Sequence, residues 1–431
     1  MKKYINLVLV LVLIPLAGWS QNPTPAGAQQ KRILLLGGVI HVGNGTVIQN
    51  GVLGFEKGKL TLVADASLIR IDRTAYDTIV DIQGKHVYPG LIAMNTTIGM
   101  NEIEAVRATN DMNETGSINP SVRAIIVYNT DSKITPTVRS NGVLLAQIVP
   151  GGGLVSGQSS VVQLDAWNYE DAAFRIDEGV HVNWPSMRKP KSKKEDAEEK
   201  QQQRMDRDLV QLRKLFYDAK AYSELPAPGE QNIHLESLRG LFNGSKSLYV
   251  HCNFVKEIIS AAGMCAELGI KMVLVGGTDA PLVAGLLKTQ NIPVVLEKTH
   301  RLPSRDDEPV DLPYTLPAML RDAGVAFAIT TNEFWQVRNL AFNAGTAGGY
   351  GLNKEEVLQT VAATPAKILG IYDRVGSLET GKDATVVITS GDLFDMKSSI
   401  VELAYIDGKQ IDLSSIQTQL NQKFRNKYGL K

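Results

Sequence analysis

Short apolar runs separated by glycine and asparagine turns set the rhythm of this chain. Thr46-Val47-Ile48 and Val52-Leu53-Gly54-Phe55 follow Ile33-Leu34-Leu35-Leu36, divided by Gly37-Gly38, Gly43-Asn44-Gly45 and Asn50-Gly51. Asn-Gly between β-rich runs predicts a hairpin. The tail repeats the pattern, with Ala384–Ile388 and Val401–Ile406 ahead of Asp407-Gly408. Each end alone offers few strands. Together, residues 31–85 and 373–431 make one small β-sandwich.

Between the ends, eight β-like runs recur, at roughly 87–94, 143–149, 159–165, 179–183, 248–252, 271–275, 292–296 and 325–330. Helical patterns such as Val255–Leu268 and Lys354–Leu369 separate several of them. Alternating strands and helices with apolar strands predict a parallel sheet, and eight units predict closure into a barrel. The expected fold class is α/β: a (β/α)8 TIM-like barrel over 86–372, inserted into the sandwich built from both chain ends. Residues 186–224 interrupt it. The stretch KPKSKKEDAEEKQQQRMDRD runs into Leu209, Leu212, Leu215, Phe216 and Ala219 at helical spacing, which predicts an exposed linker and an amphipathic helix. Its stripe either packs on the barrel, as surface helices usually do, or forms a lid or a partner-docking face.

A chain of 431 residues buries a large core. Its 45 Lys and Arg balance 45 Asp and Glu, which argues against a nucleic-acid partner or a general anionic-membrane surface. Lys2-Lys3 precede the apolar run LVLVLVLIPLAG, and small Gly18 and Ser20 stand before Gln21. This is the pattern of a secretory signal over 1–20, cleaved to leave a flexible leader at 21–30. The alternative is an uncleaved anchor, but the run is shorter than the ~20 residues that span a bilayer. The expected location is periplasmic or secreted, with no stable membrane insertion after cleavage. Cys252 and Cys265 are too few for a disulfide scaffold; two buried thiols are the preferred reading, with a bridge left open.

The stretch 84–100, GKHVYPGLIAMNTTIGM, organises the rest. Pro89-Gly90 makes a turn, and the apolar Leu91–Met94 reads as a buried strand ending in Asn95, Thr96 and Thr97. It resembles the first barrel strand of the amidohydrolase superfamily, which typically reads P-G-L-I-D-x-H-x-H. The tail Asp373–Ala384, DRVGSLETGKDA, resembles the family's D-R-x-G-S-L-E-x-G-K-x-A. Opening motif, tail motif and their separation agree, and the nearest resemblance is to imidazolonepropionase-like members. That resemblance implies a zinc-dependent hydrolase of non-peptide carbon–nitrogen bonds, as in cyclic amides. In such a site the metal lowers the pKa of bound water so that hydroxide attacks the carbonyl.

The scaffold signature survives here, but its ligands do not. Ala93 stands for the Asp, Asn95 for the first His and Thr97 for the second. Asn95 and Thr97 are instead candidates to touch substrate, with Trp167 and Asp279. His251, ending the fifth strand in Tyr249-Val250-His251-Cys252, matches the family's ligand there. His181, ending the fourth, is a second metal candidate. Near the family's eighth-strand Asp stand Thr331, Asn332 and Glu333. Asn332 and Glu333 are the catalytic candidates, although an Asn side chain takes no proton at neutral pH. The glycine run Pro150–Gly153 matches no phosphate loop and reads as a tight turn at the barrel mouth. Two readings follow: an exported hydrolase with a reduced site, using zinc if functional, or a non-catalytic member with no tightly bound metal. The second would bind a small molecule, or assemble as a homo- or hetero-oligomer with an intact amidohydrolase paralogue. The count of missing ligands favours the second.

Overall fold

The computed structural model describes residues 24–189, 196–226 and 229–430; the expected signal segment lies outside them. β1 (Ile33–His41), β2 (Val47–Glu56) and β3 (Lys59–Asp65) form an antiparallel meander. β4 (Thr78–Asp81) and β5 (His86–Pro89) both pair parallel with β1. Asn50-Gly51 is not the expected hairpin turn, because it lies inside β2. Gly51 sits opposite Gly38 at a break in register, and a Cβ on it would meet the Ile40 side chain at 2.4 Å. The glycine serves a close approach of two strands, the other use of Gly in a strand. The reversal comes at Lys57-Gly58 instead, both with positive φ.

The run expected as one strand over 87–94 is two. β5 ends at Pro89, and the chain crosses at Gly90 into β6 (Leu91–Thr96), the first barrel strand. A Cβ at Gly90 would lie 2.8 Å from both Leu144 Cδ1 and Thr385 Cγ2. Only glycine passes between the two layers at that point.

The barrel sheet continues through β7 (Val143–Ile148), β8 (Val155–Gln163), β9 (Ala173–Asn183), β10 (Ser247–Cys252), β11 (Met272–Gly276), β12 (Val294–Leu296) and β13 (Phe327–Ile329), neighbours in that order. The fold class stands: a nearly closed eight-stranded barrel in a mixed α/β protein. Thr330 Oγ1 donates to the Met94 carbonyl across the seam between last and first strands. One strand departs from the parallel pattern. β8 is antiparallel to both β7 and β9, because only residues 149–154 join it to β7. A parallel crossover needs a dozen residues or more. Pro150–Gly153 is that tight reversal, with Gly152 and Gly153 at φ 76° and 63°.

After the barrel, β14 (Val386–Thr389), β15 (Val401–Ile406) and β16 (Lys409–Gln410) rejoin the first sheet, where β14 pairs antiparallel with β5. Both chain ends therefore build a separate sheet beside the barrel, the arrangement of a barrel with a small sandwich. The DRVGSLETGKDA segment stitches it together. Asp383 accepts from Arg374 Nε at 2.9 Å and pairs with Lys59, while Ala384 N donates to the Gly58 carbonyl.

The long helix Ala197–Ser223 confirms the amphipathic reading of the insertion. Leu212, Phe216 and Ala219 are fully buried in the main core, and Leu209 and Leu215 pack against it. That stripe belongs to the barrel, the plainer of the two readings. Cys252 and Cys265 are both buried free thiols.

Candidate functional site

Alternate residues of each barrel strand face inward. The inner floor is apolar, with Ile92, Leu145, Val161, Val273, Val295 and Ala328 in one cluster that continues onto Leu369, after the helix Ala363–Ile368, and Val387 of the tail. Above the floor the interior turns polar. Glu178 of β9 is the centre of this layer. Its Oε1 accepts from Gln147 Nε2 at 2.6 Å and from Ser159 Oγ at 2.5 Å, and its Oε2 accepts from Tyr249 OH at 2.9 Å. Burial outweighs those three donors and holds the carboxyl above the usual range. The Gln147 Oε1 in turn accepts from the Asn95 backbone N–H at 3.0 Å.

One level higher the Tyr249 ring stacks on His181, centroids 4.6 Å apart. His181 Nδ1 lies 2.9 Å from His251 Nε2, so one ring donates and the other accepts. Burial lowers both imidazoles, His251 to about 4 and His181 well below its ordinary value. A charged ring in this enclosure would lose its hydration, so the pair is neutral at physiological pH. The second nitrogen of His181, Nε2, is buried without a partner. The two histidines singled out from the sequence are therefore brought together.

At the seam, Asn95 and Asn332 end the flanks of β6 and β13, both in the left-handed region with φ 50° and 46°. Asparagine tolerates that conformation better than most side chains. Asn332 Nδ2 donates to Glu297 Oε1 at 2.8 Å, and burial raises the Glu297 carboxyl. Thr97 follows β6 and is half-buried. Glu333 is paired with Lys298.

Two candidates lie elsewhere in function or space. Both Asp279 oxygens are engaged by Arg305, Nη2 to Oδ1 at 2.7 Å and Nη1 to Oδ2 at 2.9 Å. Oδ2 also accepts from Val255 N at the start of the helix Val255–Leu268, so Asp279 is a structural clamp. Trp167 is 65% exposed and follows the C-terminal end of β8. Because β8 runs backwards, Gln163 pairs with Leu145 near the start of β7, and Trp167 is carried to the end of the barrel opposite the mouth. It does not join the site.

Gln147, Ser159, Glu178, Tyr249 and Glu297 were not singled out from the sequence. Tyr249 stands two residues before His251, hence on the same strand face, and Gln147 interrupts the apolar run VLLAQIV; both were readable signals. A cavity of about 620 Å3 opens beside the site between the end of β9 and the helix Ala197–Ser223. Asn183, Trp184, Lys200, Arg204 and Asp208 are among its walls.

The family model described as amidohydrolase family matches residues 249–411. Among solved structures, an amidohydrolase from Thermotoga maritima is 26% identical, with TM-score 0.77, over 88% of this chain and 99% of that one. A molinate hydrolase is 15% identical with TM-score 0.56, over 90% of this chain and 96% of its own, a likeness of fold alone. Among curated proteins, amidohydrolase tasK of Hapsidospora irregularis is 37% identical over 114 residues, 24% of this chain. The match spans only 12% of that relative's length. The full-length structural likeness, the matched half of the barrel and the two motifs at its entry and exit agree: the chain belongs to the amidohydrolase superfamily.

Proposed function

We propose that this member of a hydrolase superfamily does not run zinc hydrolysis, and that its barrel mouth binds a small polar molecule. The observation that carries the reading is the His181–His251 hydrogen bond. One nitrogen of each ring is taken up by that bond, and the remaining His181 nitrogen, Nε2, is buried. The rest of the donor set points the same way. Asn95 and Thr97 offer an amide and a hydroxyl where relatives of this type offer imidazoles, and these are poor zinc ligands beside histidine. Asn332 donates its amide to Glu297 and accepts no proton from water. The residues present do not fit a catalytic zinc, which takes about three protein ligands and keeps a position open for water.

What remains at the strand ends are polar groups of both kinds: His251, the Asn95 amide, and the Asn332–Glu297 pair. Such groups recognise a small polar ligand by hydrogen bonds without turning it over. Metal analysis of protein purified without chelator tests the reading, together with assays on cyclic amide substrates.

A second reading keeps the inherited reaction, hydrolysis of non-peptide carbon–nitrogen bonds. It is favoured by the retained His251 at the end of the fifth strand and by the open cavity beside it. It requires turnover that disappears in His251→Ala. Export to the periplasm or beyond, with the mature chain starting at Gln21, belongs to the same proposal. It rests on the basic and apolar character of residues 2–20. Assembly with an intact paralogue would supply the missing chemistry from another subunit.

A further inference from the structure

The helix Ile416–Tyr428 lies on the outside of the fold. None of its residues is buried, and a side-chain bond from Thr137 to Gln417 ties it to the body. Its apolar side chains recur every fourth residue: Ile416, Leu420, Phe424 and Tyr428. At about 100° per residue they fill an arc of roughly 120° on one face. They and Leu430 are between 46% and 65% exposed. Gln417, bonded to the body, and Lys427 lie within the same arc, and half-exposed apolar side chains aligned in this way are the pattern of an amphipathic contact helix.

The charges say what it contacts. The helix carries Lys423, Arg425 and Lys427 and no acidic residue, although the whole chain is neutral. Lys423 falls just outside the apolar arc and Lys427 within it, between Ile416 and Leu420, where long stems lie along an apolar surface while the ammonium groups reach outwards. A second copy placed face to face would oppose these cations with their own kind, which disfavours self-association. We propose that this helix docks the protein on an anionic lipid surface, lying in the interface with its apolar arc in the headgroup–acyl boundary. Among the described residues no helix is long and apolar enough to cross a membrane, so the attachment is peripheral and salt-sensitive.

The test is sedimentation with vesicles, using protein without residues 1–20. That deletion removes the other apolar segment and touches no described residue. The protein should bind mixed phosphatidylglycerol–phosphatidylcholine vesicles, release in high salt, and ignore phosphatidylcholine alone. Lys423→Glu with Lys427→Glu should weaken partitioning more than tenfold, since each basic residue near an anionic surface is worth roughly a fivefold change. Phe424→Asp should do likewise, with melting temperature unchanged because Phe424 is outside the core. Three outcomes overturn the proposal: no binding, equal binding to neutral vesicles, or a dimer in solution that Phe424→Asp dissolves. The last would make the face a protein interface.

Discussion

His181 Nδ1 and His251 Nε2 stand 2.9 Å apart inside the barrel, one donating and the other accepting. The pair has a pH signature. An unfolded histidine titrates near 6.5, whereas burial takes His251 down to about 4. Between those values the unfolded chain binds more protons than the folded one, so stability falls as pH drops through this window. From about pH 7 to about pH 5 the loss from His251 is about 2 kcal/mol. Urea unfolding of the wild type should show it, and His251→Gln, which keeps a hydrogen-bonding group but not the titration, should flatten the curve. Equal pH dependence in both proteins would contradict the buried neutral pair.

Glu178 anchors the layer below. Glu178→Ala removes the shared acceptor of Gln147 Nε2, Ser159 Oγ and Tyr249 OH, leaving the first two only their longer contacts and the buried tyrosine hydroxyl none. It should cost about 3–5 kcal/mol. Glu178→Gln should cost about 1 kcal/mol, because the amide oxygen still accepts and the tyrosine hydroxyl can reverse its role. Denaturant midpoints separate the two; a neutral alanine variant would mean that the layer is hydrated rather than closed.

Much of this was legible in the chain and some was not, for physical reasons. Strand count, the composite sheet and the insertion helix follow from local periodicity and paired end motifs. The backward course of β8 was readable in principle, since a loop containing Pro150–Gly153 is too short for a crossover. Taking 159–165 as another parallel strand placed Trp167 at the wrong end of the barrel. The Glu178 network is different. Gln147, Ser159, Glu178 and Tyr249 come from four strands and meet only once the barrel closes, so no spacing along the sequence announces them.

Leu212 and Phe216 are fully buried, so their replacement acts on folding. Leu212→Ser and Phe216→Ser should each destabilise the protein by about 3–5 kcal/mol, from the lost apolar burial and the cavity left behind. Thermal melts check this. A variant with an unchanged melt and a lost oligomer would restore the docking-face reading.

Export makes a prediction at the other end of the chain. Intact-mass analysis of protein recovered from the producing cells should give a chain beginning at Gln21, in the periplasmic or extracellular fraction. A soluble cytoplasmic product retaining Met1–Ser20 would sink that part of the account.

The measurement that bears most directly on the central claim is zinc content per chain, by elemental analysis of protein purified without chelator. A structural zinc site of full strength binds with about 10–16 kcal/mol, and losing an anchoring pair of imidazoles removes several of those. Zinc should stand far below one equivalent, with no hydrolysis of cyclic amides. Near-stoichiometric zinc, with amidase activity that vanishes together with the metal in His251→Ala, would contradict it.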